Sequence, residues 1–250
     1  GRTSRCAFSR GCRLMTRFRH SRFWLAAAAL LSGMPGATAA EASADEADGI
    51  DTSFSLSAVS DYRYRGLSLS DKKPALQAEV SVSHDTGIYG RLWGSTIADN
   101  GGADVEAQLS LGYYVEFGAF NADVQTAYYL YPGAAADNYA EVAARLGRKL
   151  GTAEVGATIS YAPAQQGTGD LDNLYIGLDG SLPLIGDDLA LTGSFGREDG
   201  AFGDQKLDWS LGLSGEMAGL SLGLMYIDTH KSFGDPLGKP TIVASVGATF

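Results

Sequence analysis

From Val105 to Phe117 the chain changes sides at every step. Val105, Ala107, Leu109, Leu111, Tyr113, Val115 and Phe117 alternate with Asp104, Glu106, Gln108, Ser110 and Glu116. Successive side chains of an extended strand point to opposite faces, so this stretch carries one apolar face and one charged face. A helix of period 3.6 would mix the two.

The pattern recurs along the chain. Phe54, Leu56, Ala58, Tyr62 and Tyr64 oppose Ser53, Ser55, Ser57, Asp61 and Arg63. Leu76, Ala78, Val80 and Val82 oppose Gln77, Glu79, Ser81 and Ser83, and Phe120, Ala122, Val124, Thr126, Tyr128 and Leu130 oppose Asn121, Asp123, Gln125 and Tyr129. At the end, Ile242, Ala244, Val246, Ala248 and Phe250 share a face opposite Val243, Ser245, Gly247 and Thr249. The alternation predicts strands over 52–65, 75–84, 87–97, 103–117, 119–131, 138–149, 152–162, 172–182, 188–196, 206–216, 219–229 and 240–250. Each approaches the ~9–11 residues a tilted strand needs to cross hydrocarbon.

Alternation alone also fits a soluble sandwich. The connections separate the two. Links after odd-numbered strands are long and polar (66–74, 98–102, 132–137, 163–171, 197–205, 230–239), whereas 85–86, 118, 150–151 and 217–218 are tight and 183–187 is intermediate. Long loops at one end and short turns at the other describe a transmembrane antiparallel up-and-down β-barrel of about twelve strands, with both termini periplasmic. Segment 138–149 is the weakest of the set. Tyr139, Val142, Ala143 and Leu146 fall at helical spacing, so a helix competes with the strand that loop parity demands.

The front of the chain points to export. Residues 1–40 hold seven arginines and no acid, an apolar run from Phe23 to Leu31, and the small-residue stretch Ala37-Thr38-Ala39-Ala40. This order is that of a secretory signal peptide, and Met15 would start one of ordinary length. The apolar run is shorter than the ~20 residues of a membrane-spanning helix. Residues 41–50 are small and acidic and read as a flexible linker ahead of a barrel over 51–250. Both cysteines, Cys6 and Cys12, lie in the leader, which removes disulfides, thiolate metal sites and thiol catalysis from the remainder. The whole chain is −10, and without the seven leader arginines 12 basic residues face 29 acidic ones, or −17. So acidic a surface argues against nucleic acid as a partner and favours cations inside a pore. Aromatics at strand ends (Tyr62, Tyr64, Tyr113, Phe117, Phe120, Tyr128, Tyr131, Tyr161, Tyr226, Phe250) are expected to form girdles where lipid meets water.

The stretch Ser60-Asp61-Tyr62-Arg63-Tyr64-Arg65-Gly66-Leu67-Ser68-Leu69-Ser70-Asp71-Lys72-Lys73-Pro74-Ala75-Leu76-Gln77 resembles the opening motif of the TorF-type porins, S-D-Y-R-F-R-G-x-S-Q-S-D-x-x-P-A-L-Q. Tyr64 stands in place of the usual Phe and Leu69 in place of Gln. Gly87-Ile88-Tyr89-Gly90-Arg91-Leu92-Trp93-Gly94-Ser95 is similar to the strand that follows the first turn in that family, with Arg91 departing from it. The resemblance extends over 50–250. It implies a bacterial outer-membrane barrel acting as a pore, in a Gram-negative cell, and supplies no substrate.

Chemistry finds little support in the sequence. His84 and His230 are the only histidines outside the leader and fall at opposite predicted membrane faces, without a motif-spaced nucleophile. Asp170-Leu171-Asp172-Asn173 and Glu198-Asp199-Gly200 are acidic turns lacking the full ligand spacing of a calcium loop. Asp99-Asn100-Gly101-Gly102 is a turn signal and not a phosphate cradle. We expect no enzyme activity, cofactor or metal.

The remaining signal is the polar face. Asp61, Arg63, Arg65, Glu79, Arg91, Asp104, Glu106, Glu116, Asp123, Arg145, Glu154, Asp179 and Asp208 are the predicted pore-lining residues. Arg or Lys facing lipid at mid-membrane costs about 2–4 kcal/mol, so these positions belong inside. Ion pairs between the acids and Arg63, Arg65, Arg91 or Arg145 would plug the lumen. Two readings stay open: a narrow pore passing small polar solutes or ions with a weak cation preference, and a closed barrel serving structure or adhesion. The expected partners are outer-membrane lipid, the solutes themselves, and the barrel-assembly machinery reading the terminal strand that ends on Phe250.

Overall fold

The computed structural model describes residues 49–186, 188–232 and 236–250. The expected leader (1–40) and most of the expected acidic linker (41–50) therefore lie outside the described residues. Twelve antiparallel strands close into one barrel. In chain order they are β1 (Ile50–Val59), then, after two short strands β2 (Arg63–Tyr64) and β3 (Leu67–Ser68), β4 (Ala75–His84), β5 (Ile88–Asn100), β6 (Ala103–Phe117), β7 (Phe120–Leu130), β8 (Tyr139–Leu150), β9 (Ala153–Ala162), β10 (Asn173–Ile185), β11 (Leu189–Gly200), β12 (Gly203–Met217), β13 (Leu220–His230) and β14 (Thr241–Thr249). Consecutive wall strands pair, and β1 pairs with both β4 and β14, which closes the ring. Closure leaves no strand edge unpaired, the condition a sheet must meet to cross lipid.

The alternation read from the sequence sets the two faces. Leu109, Leu111, Ile159, Ile176, Leu178, Leu211, Leu224 and Ile242 stand exposed on the outside, while Glu106, Ser110, Asp123, Arg145 and Asp208 are buried on the inside. Water would penalise an apolar surface of this extent, and lipid does not. The long connections carry short 3-10 turns at Ala135–Asp137, Gln166–Thr168 and Pro236–Gly238. These lie at the end of the barrel opposite both Ile50 and Thr249.

Segment 138–149 is the strand that loop parity demands: β8 pairs along its length with β7 and β9, because tertiary pairing outweighs its helix-forming composition. Other expectations are revised. Two links expected to be long are tight instead, since β5 pairs with β6 up to Asn100 and Ala103, and β11 with β12 up to Gly200 and Gly203. The predicted first strand, 52–65, ends at Val59, and the chain then turns into the barrel. Tyr62 consequently leaves the aromatic girdle for the interior and is buried. Outside, Phe54 stacks on Phe250 at 6.2 Å and Phe117 on Phe120 at 5.8 Å near the short-turn end, while Tyr128, Tyr161 and Tyr226 are exposed nearer the other.

Candidate functional site: the lumen and its inserted hairpin

Residues 60–74 fold back into the barrel mouth as a small hairpin. Its tip is a two-residue turn at Arg65 and Gly66, whose φ values of 46° and 83° are both positive. This is the backbone handedness that tight hairpins favour. Gly66 also has no room for a side chain: a Cβ there would lie 2.2 Å from Thr229 Cγ2.

The hairpin is held together by its own polar residues. Asp61 accepts from Arg63 Nε at 2.7 Å, Ser68 Oγ at 2.5 Å and Ser70 Oγ at 3.3 Å. Ser70 Oγ accepts from the Tyr62 amide at 2.9 Å and Ser68 Oγ from the Lys72 amide at 2.9 Å. The Leu69 amide donates to the Tyr62 carbonyl at 2.8 Å. The spacing of acid, arginines and serines in the opening motif is thus the wiring of one buried turn.

Its apolar side docks on the wall. Tyr62 packs among Val59, Ala75, Trp93, Ile227 and Val243, with its ring centroid 5.4 Å from that of Trp93. Tyr64 joins an aromatic cluster with Tyr129 and Tyr139 and donates or accepts a hydroxyl hydrogen bond with Tyr129 at 3.0 Å.

Arg65 is the pin. Its guanidinium donates to both oxygens of Glu141 on β8 at 2.8 Å and to Glu198 Oε1 on β11 at 2.7 Å. It lies between the rings of Tyr64 and Tyr175, 4.7 and 4.3 Å from their centroids. Lys206 on β12 pairs with Glu198 at 2.5 Å and donates to the Arg65 carbonyl at 2.9 Å. Burial works against the Arg65 charge, but Glu141 and Glu198 outweigh it and hold the guanidinium pKa well above its ordinary value. Glu106, Glu198 and Lys206 are each 1% exposed, so the lumen at this level is packed like a protein interior.

Below the hairpin the charged residues hug the wall. Arg145 on β8 donates to Asp179 at 2.6 Å, to Asn121 at 3.1 Å and to Glu154 at 3.3 Å, on β10, β7 and β9. Tyr89 on β5 donates to Asp123 on β7 at 2.8 Å, and Tyr175 on β10 to Asp208 on β12 at 3.3 Å. Glycine allows these side chains to lie flat: a Cβ on Gly196 would sit 2.1 Å from the Tyr175 hydroxyl, and one on Gly156 2.4 Å from Arg145 Nη2. A cavity of about 60 Å³ of mixed lining remains between the hairpin and this lower layer, bounded by Arg63, Arg65, Tyr175, Asp208, Trp209 and Ile227. It is large enough for a few waters.

Of the predicted lining residues, Glu106, Asp123, Arg145 and Asp208 are buried on the inner wall, and Glu79, Arg91, Glu154 and Asp179 are half-buried there. Arg91 lies over the Tyr89 ring at 4.6 Å. Asp61, Arg63 and Arg65 are buried in the hairpin instead of on a strand. Asp104 and Glu116 reach solvent at opposite rims, because each sits near a strand end; Glu116 meets Lys149 at 3.4 Å. Glu198, read as part of an acidic turn, faces inward on β11 because that strand continues to Gly200. Glu141, Glu198 and Lys206 are partners the sequence reading missed. The signal for Glu141 was its parity with Arg145 on β8. His84 and His230 lie at opposite ends of the barrel, and His84 Nδ1 hydrogen-bonds Thr86 at 2.9 Å.

Among solved structures the chain is similar in fold to the KdgM porin, with a TM-score of 0.54 and 9% identity over 79% of this chain and 98% of that one. It is also similar to the NanC porin, with a TM-score of 0.51 and 9% identity over 80% and 98%. Identities this low establish the shared barrel alone. No curated protein matches the chain in sequence. A family model described as "Bacterial protein of unknown function (Gcw_chp)" matches residues 43–250.

Proposed function

The chain belongs to the Gcw_chp family of bacterial proteins, and on the geometry of its lumen we propose that it is an outer-membrane diffusion channel for small hydrophilic solutes or ions. The observation that carries this reading is the inversion of the barrel: apolar side chains outside, charged side chains within, around a closed ring. A barrel so built is stable in lipid and gives polar solutes a path lined by groups that replace their water. The shared barrel fold of the KdgM and NanC porins supports it, as does the likeness of residues 60–77 to the opening of the TorF-type porins.

In this reading the lining residues are Asp61, Arg63, Arg65, Glu79, Arg91, Glu106, Asp123, Arg145, Glu154, Asp179 and Asp208, with Asp104 and Glu116 at the two mouths. Carboxylates outnumber cations among them, which favours a weak preference for cations. Transport follows the gradient and uses size and charge, without a catalytic group. Both termini and the short turns face the periplasm, residues 1–40 direct export, and the strand ending on Phe250 is recognised during barrel assembly.

Planar-bilayer recording of the refolded protein tests the proposal. Discrete conductance steps and a reversal potential on the cation side are expected in a salt gradient. Silence from correctly folded protein would contradict the channel, and a clear anion preference would contradict the charge argument.

One observation favours a second reading, a non-conducting barrel with a structural or adhesive role. The level of Arg65 is tightly packed, with Glu198 and Lys206 fully buried. The same recording separates the two.

A further inference from the structure

We infer that residues 60–74 are a displaceable plug, pinned by Arg65, that sets the size and charge of solute the barrel passes. This rests on the channel reading, and the test below distinguishes failure of one from failure of the other.

The bonds of the molecule divide into two sets. Side-chain bonds of the wall stay local: Arg145 on β8 reaches no farther than β10, Tyr89 on β5 no farther than β7, and Tyr175 on β10 no farther than β12. None of these spans more than two places around the ring. Among the described hydrogen bonds and ion pairs only those of the hairpin bridge the lumen, while the Phe202 ring in the β11–β12 turn also reaches Tyr139 on β8, at 5.0 Å between centroids. The hairpin leaves the end of β1 and contacts Glu106 on β6 through the Tyr62 hydroxyl at 3.4 Å, then Glu141 on β8 and Glu198 on β11 through Arg65. The wall closes by backbone pairing of β1 with β4 and β14; of 60–74 only Ser60 continues that ladder, its amide donating to the Ala244 carbonyl at 2.9 Å, and the Leu69 carbonyl accepts one further backbone bond from Ala98 on β5 at 2.8 Å. A wall complete without its insert can persist when the insert moves.

The insert also carries its own internal wiring. Asp61 ties Arg63, Ser68 and Ser70 into one turn, so the hairpin can move as a unit. Its deepest tie is electrostatic. Arg65 and Lys206 face Glu141 and Glu198, a balanced set of two cations and two carboxylates. Withdrawing the hairpin takes Arg65 away and leaves Glu141, Glu198 and Lys206 on the wall, a net acidic collar below the mouth. On the wall beneath the hairpin, Arg145 and Tyr175 already lie flat over Gly156 and Gly196. Displacement therefore widens the lumen and strengthens its attraction for cations together.

The test compares three proteins in planar bilayers: the native chain, a variant with residues 62–72 replaced by an Asn-Gly turn, and Arg65→Ala. Heat-modifiable gel migration and far-ultraviolet circular dichroism establish that each is a folded barrel. Graded polyethylene glycols report the size limit and reversal potentials report selectivity. The shortened variant should show several-fold greater conductance, admit larger glycols and become more cation-selective. Arg65→Ala keeps the hairpin without its pin and should give intermediate conductance with greater current noise. A folded shortened variant with native conductance and native size limit overturns the plug while leaving the channel standing. Silence from both native and shortened barrels overturns the channel and the plug together. Should the shortened chain fail to fold, Arg65→Ala decides: native conductance and noise from its folded barrel overturn the plug.

Discussion

Lys206 and Lys73 carry the same charge, yet their environments set opposite expectations. Lys206 is buried between Glu198 and the Arg65 carbonyl. Lys206→Met leaves that carboxylate with one fewer cation and that carbonyl without its donor. Breaking one partner from a buried pair costs about 3–5 kcal/mol, so the thermal midpoint in detergent should fall clearly. Lys73 pairs with Asp71 in open solvent, where side chains 72% and 56% exposed gain little from each other, and Lys73→Ala should leave the midpoint unchanged. Two glycines, Gly196 on the inner face and Gly90 on the outer, give a second contrast. Gly196→Val forces the Tyr175 ring off the wall, an overpacking penalty of about 1–3 kcal/mol. Gly90→Ala meets nothing nearer than a carbonyl at 3.8 Å and should be silent in the same melt. Such residue-level pairings were the least legible part of the sequence. Arg65 stood out as a cation within a distinctive motif. Its partners Glu141 and Glu198 were hidden, one in a segment with helical spacing and the other among Asp and Gly that read as a turn.

Strands were legible because a period of two is hard to produce by accident over ten or more residues. β4 and β6 begin and end where the alternation places them. The first strand was over-extended because its alternation runs on: Tyr62 and Tyr64 against Asp61 and Arg63 keep the period after the backbone has left the wall. An inserted hairpin also has two faces, one docked on Trp93 and Ile227 and one turned to its own ion pairs, so period alone cannot tell lipid from a greasy inner wall. The faces of β6 give an element-scale prediction. Leu111 stands on the outside at mid-strand, 60% exposed, and Leu111→Arg should destabilise the lipid-inserted barrel by about 2–4 kcal/mol in a denaturant titration in vesicles. Ser110→Ala, one residue away on the inner face, should leave that titration nearly unmoved.

At the scale of the whole molecule, parity and loop length were enough to give the barrel, its closure and its polarity. The number of strands followed from the need for both barrel ends to lie at one rim, and β1 pairing with β14 meets it. The occupant of the lumen did not follow, because it depends on where one connection folds, and a polar loop in water and a polar loop inside a barrel have the same composition. The molecule that results is a ring inverted relative to a soluble fold, with a charged insert across its mouth. The inversion is most directly measured by spin labels placed singly at 105 to 114 on β6 of a barrel beginning at residue 41 in lipid vesicles, since the only cysteines, Cys6 and Cys12, precede it. Accessibility to oxygen, which partitions into lipid, should peak at 105, 107, 109, 111 and 113, and accessibility to a water-soluble nickel chelate should be low at those same positions. Labels with no two-residue period, or with the odd positions open to the chelate and closed to oxygen, would contradict a barrel whose outer face meets lipid.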